Sequence, residues 1–126
     1  ENSFPKLTVV IITVPTCQEI WSNYDAFSGH YRRYSLGMLR KLSTDLDWTT
    51  KSMGYFFRFP YLLMRLMSLL GIERNTKIYA PGKSMRPLHG LVSVACRLEQ
   101  ALLPHRIRGS SAYAVYYPGR EGQQHL

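Results

Sequence analysis

The pattern of apolar and polar positions divides the chain into three extended segments with helical segments between them. Residues 7–14 read LTVVIITV, an unbroken and largely β-branched run that ends at Pro15. Unbroken apolarity of this kind is typical of a strand buried on both faces, as in a parallel sheet. Residues 47–57 and 110–118 are rich in β-branched and aromatic side chains and predict two further strands.

Three helices are predicted between these strands. Ser35 is a candidate N-cap, and leucines at 36, 39 and 42 follow at helical spacing until about residue 45. Residues 60–71, PYLLMRLMSLLG, begin with proline, end with glycine and are apolar nearly all round. After a loop with a turn at Pro81-Gly82, residues 88–103 form the third helix. One face of that helix is apolar, with Leu91, Val94, Ala95, Leu98 and Leu102.

The order of these elements predicts an α/β domain over residues 1–118, with one crossover and a two-helix insertion at about 60–103. We interpret the insertion as a cap over a pocket. Its first helix has about twelve residues, fewer than the roughly twenty that cross a bilayer. A helix lying in a membrane interface is the alternative to the cap. Residues 119–126 are expected to form a flexible tail.

The net charge and the cysteine content limit which kinds of partner and which cellular compartment the sequence favours. The chain has 126 residues and a net charge of +8, which favours an anionic partner such as nucleic acid, lipid headgroups or a phosphorylated substrate. No run of five basic residues marks a nucleic-acid arm. Cys17 and Cys96 fit neither a disulfide scaffold nor a zinc site, which favours a cytoplasmic location and no metal. Cys17 has no base near it in sequence that would make it a nucleophile.

The densest chemistry lies directly after the first strand, in DAFSGHYRRYS at residues 25–35. Loops beyond the carboxyl ends of strands hold the active sites of open α/β sheets. Asp25 and His30 could perform acid–base chemistry there, and Arg32 or Arg33 could hold an anionic group. The structural alternative is that Asp25 and the arginines form salt bridges within the loop and that His30 caps a turn.

With its flanks, this loop resembles the C-terminal half of class I S-adenosylmethionine-dependent methyltransferases of the type 11/12 kind, related in pattern to ubiquinone-biosynthesis O-methyltransferases. In that family a buried strand ends in VP, a loop with W-S-x-x-D and G-H-x-R-R-Y-[ST] follows, and a helix then begins with leucine. The resemblance covers roughly residues 7–118. The matching residues are Val14, Pro15, Trp21, Ser22, Asp25, Gly29, His30, Arg32, Arg33, Tyr34, Ser35 and Leu39.

The resemblance implies a partial Rossmann-like sheet made of the last three strands, with the final strand antiparallel between the other two. It implies transfer of a methyl group from S-adenosylmethionine to an oxygen, nitrogen or carbon nucleophile of a small acceptor. The apolar inserted helices indicate that this acceptor is lipophilic or lipid-linked. His30 would be the general base, and Asp25 would fix a loop residue. The acceptor would be held by the loop and the inserted helices, with contacts from Trp21, Tyr24, Arg32, Arg33 and Tyr34.

The family's glycine-rich cofactor loop has no counterpart, because no G-x-G-x-G occurs in the chain. We therefore expect the cofactor-binding half to be missing and the chain to be inactive alone. The first strand would then expose an apolar edge through which copies of the chain could associate. The competing prediction is a non-enzymatic basic module that binds an anionic membrane or nucleic acid. The methyltransferase prediction includes peripheral membrane contact but no specific nucleic acid.

Overall fold

A computed structural model describes residues 9–77 and 82–118. Short 3-10 turns occur at Gln18–Ile20 and Lys83–Met85. The helices and strands, in chain order, are β1 (Val10–Pro15), α1 (Asn23–Phe27), α2 (Leu36–Asp45), β2 (Thr49–Phe56), α3 (Arg58–Leu69), α4 (Arg86–Leu102) and β3 (Ser111–Tyr117). The predicted α/β class is confirmed.

Within the described residues, the sheet has three strands in the order β1-β3-β2. Strand β3 is antiparallel to both neighbours, with Val10 opposite Tyr116 on one side and Phe56 opposite Ser111 on the other. Strands β1 and β2 therefore run parallel to each other, although they do not touch. The last strand in the sequence is the middle strand of the sheet, which is the arrangement that the resemblance implied.

Helix α2 covers one face of the sheet and encloses the core. Ser35 caps its start, because the Ser35 hydroxyl accepts a hydrogen bond from the Met38 N–H at 3.2 Å. Leu39 packs against the buried residues Ala112, Ala114 and Tyr116 of β3. The Tyr116 hydroxyl donates to the Leu39 carbonyl at 2.8 Å, so this buried phenol also has a hydrogen-bond partner. The predicted start and end of α2 are both confirmed.

Strand β1 corrects one expectation. Its residues alternate between half-buried and exposed, and Ile11 is 67% exposed. The prediction of burial on both faces is wrong, because Val10, Ile12 and Val14 pack against the core on one face while Ile11 and Thr13 on the other face are exposed. An unbroken apolar run shows that a strand is hydrophobic, but it does not show whether another element covers each of its faces.

The two inserted helices begin earlier than predicted. Helix α3 starts at Arg58, two residues before Pro60, because Phe57 adopts a left-handed backbone with φ 60° that turns the chain out of β2. Helix α4 starts at Arg86, inside the segment predicted as a loop. Pro81 of the predicted turn, and the tail at 119–126, lie outside the described residues. No described helix is long and apolar enough to span a bilayer.

The apolar face predicted for α4 does not form a core. Leu91, Val94, Leu98 and Leu102 are all exposed. Helix α4 contacts α3, but none of its side chains belongs to the core cluster on the sheet.

Candidate functional site

The loop that follows β1 folds back onto the strand it leaves. The Tyr34 N–H donates to the Pro15 carbonyl at 2.8 Å, and the Cys17 N–H donates to the Tyr34 carbonyl at 3.3 Å. These bonds form a one-residue parallel bridge between Thr16 and Tyr34. The Thr16 hydroxyl also donates to the Gly109 carbonyl at 2.7 Å, which joins the loop to the start of β3.

A buried ion pair holds the loop in this position. Asp25 is only 1% exposed, and the Arg33 Nη2 lies 2.9 Å from its Oδ1 and 3.0 Å from its Oδ2. The other guanidinium nitrogen, Nη1, donates to the carbonyls of Thr16 at 3.0 Å and Ser110 at 3.4 Å. Arg33 is itself buried. The geometry favours the structural interpretation for Arg33, since its charge is paired inside the protein.

Asp25 is held as a carboxylate by its hydrogen bonds. It belongs to a capping box at the start of α1, in which the Ser22 N–H donates to Oδ2 at 3.0 Å. Burial acts to raise the pKa of Asp25, but hydrogen bonds from Arg33, His30 and Ser22 outweigh burial and lower that pKa below its ordinary value. Asp25 therefore stays ionised at neutral pH and is not a proton donor.

His30 lies beside this carboxylate but closer to solvent. Its Nδ1 is 3.2 Å from the Asp25 Oδ1, and its side chain is 40% exposed. With Nδ1–H donating to Asp25, Nε2 is the basic ring nitrogen, which is the arrangement a histidine base requires. Arg32 is also exposed, and its guanidinium lies 5.2 Å from the centre of the Tyr34 ring. The structure thus brings Asp25, His30 and Arg33 together and leaves Arg32 at the surface.

A pocket of about 210 Å³ opens between this loop and α3. Of the predicted site residues, Trp21 lines it, whereas Asp25, His30 and the two arginines do not. The apolar lining residues besides Trp21 are Ile20, Met64, Met67 and Ile72, and the polar ones are Ser22, Asn23, Ser68, Glu73 and Arg74. By area its wall is mostly apolar, with a polar rim.

The rim of the pocket is fixed by Arg74. The Asn23 side chain donates to the Arg74 carbonyl at 2.8 Å and accepts from the Arg74 N–H at 3.1 Å. The Arg74 guanidinium lies 4.3 Å from the centre of the Tyr24 ring, within the range of a cation–π contact. Tyr24 therefore contributes by holding Arg74, and it does not line the pocket itself.

Sequence reasoning missed Asn23, Met64, Met67 and Arg74. Arg74 is separated from Asn23 by 51 positions, and no local pattern links them. The one usable signal was the spacing of Met64 and Met67, which share a side of α3 that differs from the side of its leucines.

A second polar cluster at the end of β1 was also missed. The Glu19 carboxylate accepts hydrogen bonds from the Tyr61 hydroxyl and the Arg108 guanidinium, both at 3.0 Å. Burial acts to raise the pKa of Glu19, but hydrogen bonds, including those from Tyr61 and Arg108, lower it overall. Burial, and then the nearby Glu19 charge, raise the pKa of the Cys17 thiol. Cys17 is therefore a protonated thiol and not an activated nucleophile.

Two tightly packed glycines among the described residues do not form a cradle for S-adenosylmethionine. The family binds it with a glycine-rich cradle, so the tightly packed glycines are the ones to test. A Cβ on Gly109 would lie 2.1 Å from the Phe56 carbonyl oxygen, and one on Gly54 would lie 2.7 Å from the His105 Cβ. At both positions the missing side chain makes room for neighbouring protein atoms, so neither glycine lies beside an open cavity. In residues 9–77 and 82–118, no three side chains of the metal-binding types come together.

Comparison with protein-family models, with curated proteins and with solved structures returns no match for this chain. The features of the chain that bear on function are therefore its sheet order, its pocket and the residues of the loop.

Proposed function

We propose that the chain is the acceptor-binding side of an S-adenosylmethionine-dependent methyltransferase, and that β1, β3 and β2 are the end strands of a Rossmann-like sheet. The acceptor would be small and lipophilic. Because the chain has no G-x-G-x-G and its tightly packed glycines form no cradle, we propose that the cofactor is held by polypeptide outside the described residues. The chain by itself would then transfer no methyl group.

The sheet order is the observation that carries this proposal. Strands that follow one another along a chain are usually neighbours in space. Here β1 and β2 are separated by β3, the last strand, which runs antiparallel to both. The parallel pair β1 and β2 is joined through α2, as a crossover connection requires. A final strand inserted antiparallel between the two before it is the arrangement that the resemblance implies for this fold.

The pocket supplies the second argument. It lies beside the loop at the carboxyl end of β1, where ligands bind in open α/β sheets. Trp21, Met64 and Met67 provide flat and adaptable apolar contacts for a lipophilic group. Methyl transfer depends largely on the relative position of the two reactants, so a pocket of suitable shape contributes without a catalytic group.

The roles of His30 and of the pocket can be separated. His30 does not line the pocket, so this proposal requires the acceptor to extend from the pocket to His30, which accepts its proton through Nε2 while Asp25 holds Nδ1. His30→Gln would lower kcat at neutral pH and leave the KM for the acceptor near its original value. Trp21→Ala would instead raise that KM, because it removes a wall of the pocket.

The test is methyl transfer by the complete product of the reading frame that encodes this chain. Methyl-labelled S-adenosylmethionine is supplied together with a lipid extract, and label in the organic phase is counted. We expect transfer that falls about tenfold in Trp21→Ala, a typical loss for one pocket contact. Arg40→Gln, on the exposed surface of α2, is the control and should not change it. Absence of any transfer, or transfer insensitive to Trp21→Ala, would contradict the proposal.

A further inference from the structure

The polar and apolar sides of helix α3 are reversed relative to those of an ordinary surface helix. Its polar side chains face the protein: the Tyr61 hydroxyl donates to the Glu19 carboxylate at 3.0 Å, and Arg65 and Ser68 donate to the Glu19 carbonyl at 3.4 and 3.5 Å. A surface helix of a globular protein normally turns its apolar stripe inward and its polar side to water. In α3 the polar side is used for packing, so the apolar side is left outside.

That outer side is a continuous apolar stripe, which we call the leucine face. Its members recur at spacings of three and four residues along α3 and its C-cap, and each is between 48% and 68% exposed. At 3.6 residues per turn they fall within about 120° of the helix circumference. They are Phe59, Leu62, Leu63, Leu66, Leu69 and Leu70.

Helix α4 adds a second exposed stripe. Leu88, Leu91, Leu98 and Leu102 are between 49% and 76% exposed and also share one side of their helix. The buried Glu99 ties α4 to the start of α3, because its two carboxylate oxygens accept from the N–H groups of Arg58 and Phe59 at 2.7 Å each.

The excess positive charge of the protein is concentrated on the same segment. Residues 57–108 hold nine of the sixteen lysines and arginines but only two of the eight acidic residues. One of those two, Glu99, is buried. Within the described part of the chain, several exposed cations of this segment take part in no ion pair. They are Lys77, Lys83, Arg86, Arg97 and Arg106.

We propose that the α3–α4 pair docks on the surface of an anionic lipid bilayer, with the leucine face in the headgroup boundary and the basic residues at the phosphates. Amphipathic helices bind membranes through this combination of exposed apolar area and positive charge. Helix α3 is about 18 Å long, which suits a helix lying in the interface. A second copy of the chain fits less well, because it would bring two cationic segments together.

The test is cosedimentation of the chain with vesicles of phosphatidylcholine, alone or with about 30% phosphatidylserine. We expect sedimentation with the anionic vesicles and little with the neutral ones. Leu62→Ser/Leu66→Ser/Leu69→Ser should weaken this partitioning about a hundredfold, because it removes three apolar contacts. Ile11→Ser is the matched control, since Ile11 is equally exposed but lies on β1.

The charge contribution is tested separately. Arg86→Gln/Arg97→Gln should weaken partitioning about thirtyfold, as expected for two cations near an anionic surface. Arg40→Gln/Lys51→Gln removes the same charge from exposed positions on α2 and β2 and should change it by less than about twofold. Equal losses in the two pairs would mean that only net charge matters, and would contradict docking through this surface.

A second test uses a substitution that keeps the leucine face apolar. In Leu66→Trp, tryptophan fluorescence measured against the unsubstituted protein should shift to the blue when anionic vesicles are added. No shift would overturn the proposal. So would concentration-dependent dimers that the triple serine variant abolishes, or retention on duplex DNA that matches the vesicles and is insensitive to that variant. None of these readouts requires methyl transfer, so docking and the proposed function can fail independently.

Discussion

The loop after β1 and the α3–α4 pair each bury an ion pair, Asp25–Arg33 and Arg58–Glu99, but they differ in how much apolar surface they leave exposed. The loop buries an aspartate and an arginine, and the Thr16 carbonyl and the Ser22 N–H supply further hydrogen bonds, while the Arg33 Nε has no partner among the described residues. The helical pair leaves most of its leucines in solvent. A buried ion pair costs desolvation free energy, which only good geometry offsets, so the loop has one well-defined conformation. The helical pair has unsatisfied apolar surface, so its stable arrangement depends on something that covers it.

The largest expected effect is on the loop side of this comparison. Asp25→Asn leaves the buried Arg33 without a counter-charge and should lower the free energy of unfolding by about 3–5 kcal/mol. Urea denaturation measures it. Lys41→Gln is the control, because it breaks an exposed i,i+4 pair with Asp45 and should cost less than about 0.5 kcal/mol. Similar losses in the two variants would show that Asp25–Arg33 does not hold the fold.

Two glycines sharpen the contrast between the sheet and the helices. Gly109→Ala places a methyl group against the Phe56 main chain and should cost about 3 kcal/mol, because backbone must shift to admit it. Gly90→Ala, within α4 where nothing lies within 4 Å, should stabilise the protein by about 1 kcal/mol through helix propensity. Thermal unfolding of both variants checks the signs. A neutral Gly109→Ala would contradict the close contact between β2 and the start of β3.

Glu99 links α4 to the start of α3 within the helical pair. Glu99→Gln retains one acceptor oxygen but removes the charge that holds the first N–H groups of α3 and that pairs with the buried Arg58 at 3.9 Å, at an expected cost of about 3 kcal/mol. Hydrogen exchange should accelerate at Arg58 and Phe59, while amides in β3 stay protected. Loss of protection in the sheet as well would mean that the two regions unfold together.

The pH dependence is the smallest of these effects, because burial and hydrogen bonding oppose each other at Asp25. Since the pKa of Asp25 is lower in the folded protein, its contribution to stability is complete above the ordinary aspartate pKa of about 4. That contribution is lost as the pH falls through the lowered value. Unfolding measured from pH 6 downward should therefore show a weaker acid dependence in Asp25→Asn than in the unsubstituted protein.

Local chemistry made part of this molecule predictable from the sequence. The Ser35 cap and its leucine spacing identified α2 at both ends, and strands β2 and β3 followed from their composition. Burial was not predictable in the same way. The apolar run of β1 and the leucines of α3 and α4 would form a core only if other parts of the protein covered them. In the structure, Ile11 and the leucines of both helices are exposed to solvent instead. The pocket was missed because its Asn23–Arg74 contact joins residues far apart in sequence.

The most direct test of the functional account is calorimetric titration of S-adenosylmethionine into residues 1–126 and into the complete product of the reading frame. The account predicts no saturable heat with residues 1–126, since it places the cofactor on polypeptide outside the described residues, and saturable binding by the complete product. Saturable binding by residues 1–126, or a complete product that binds no S-adenosylmethionine, would contradict it.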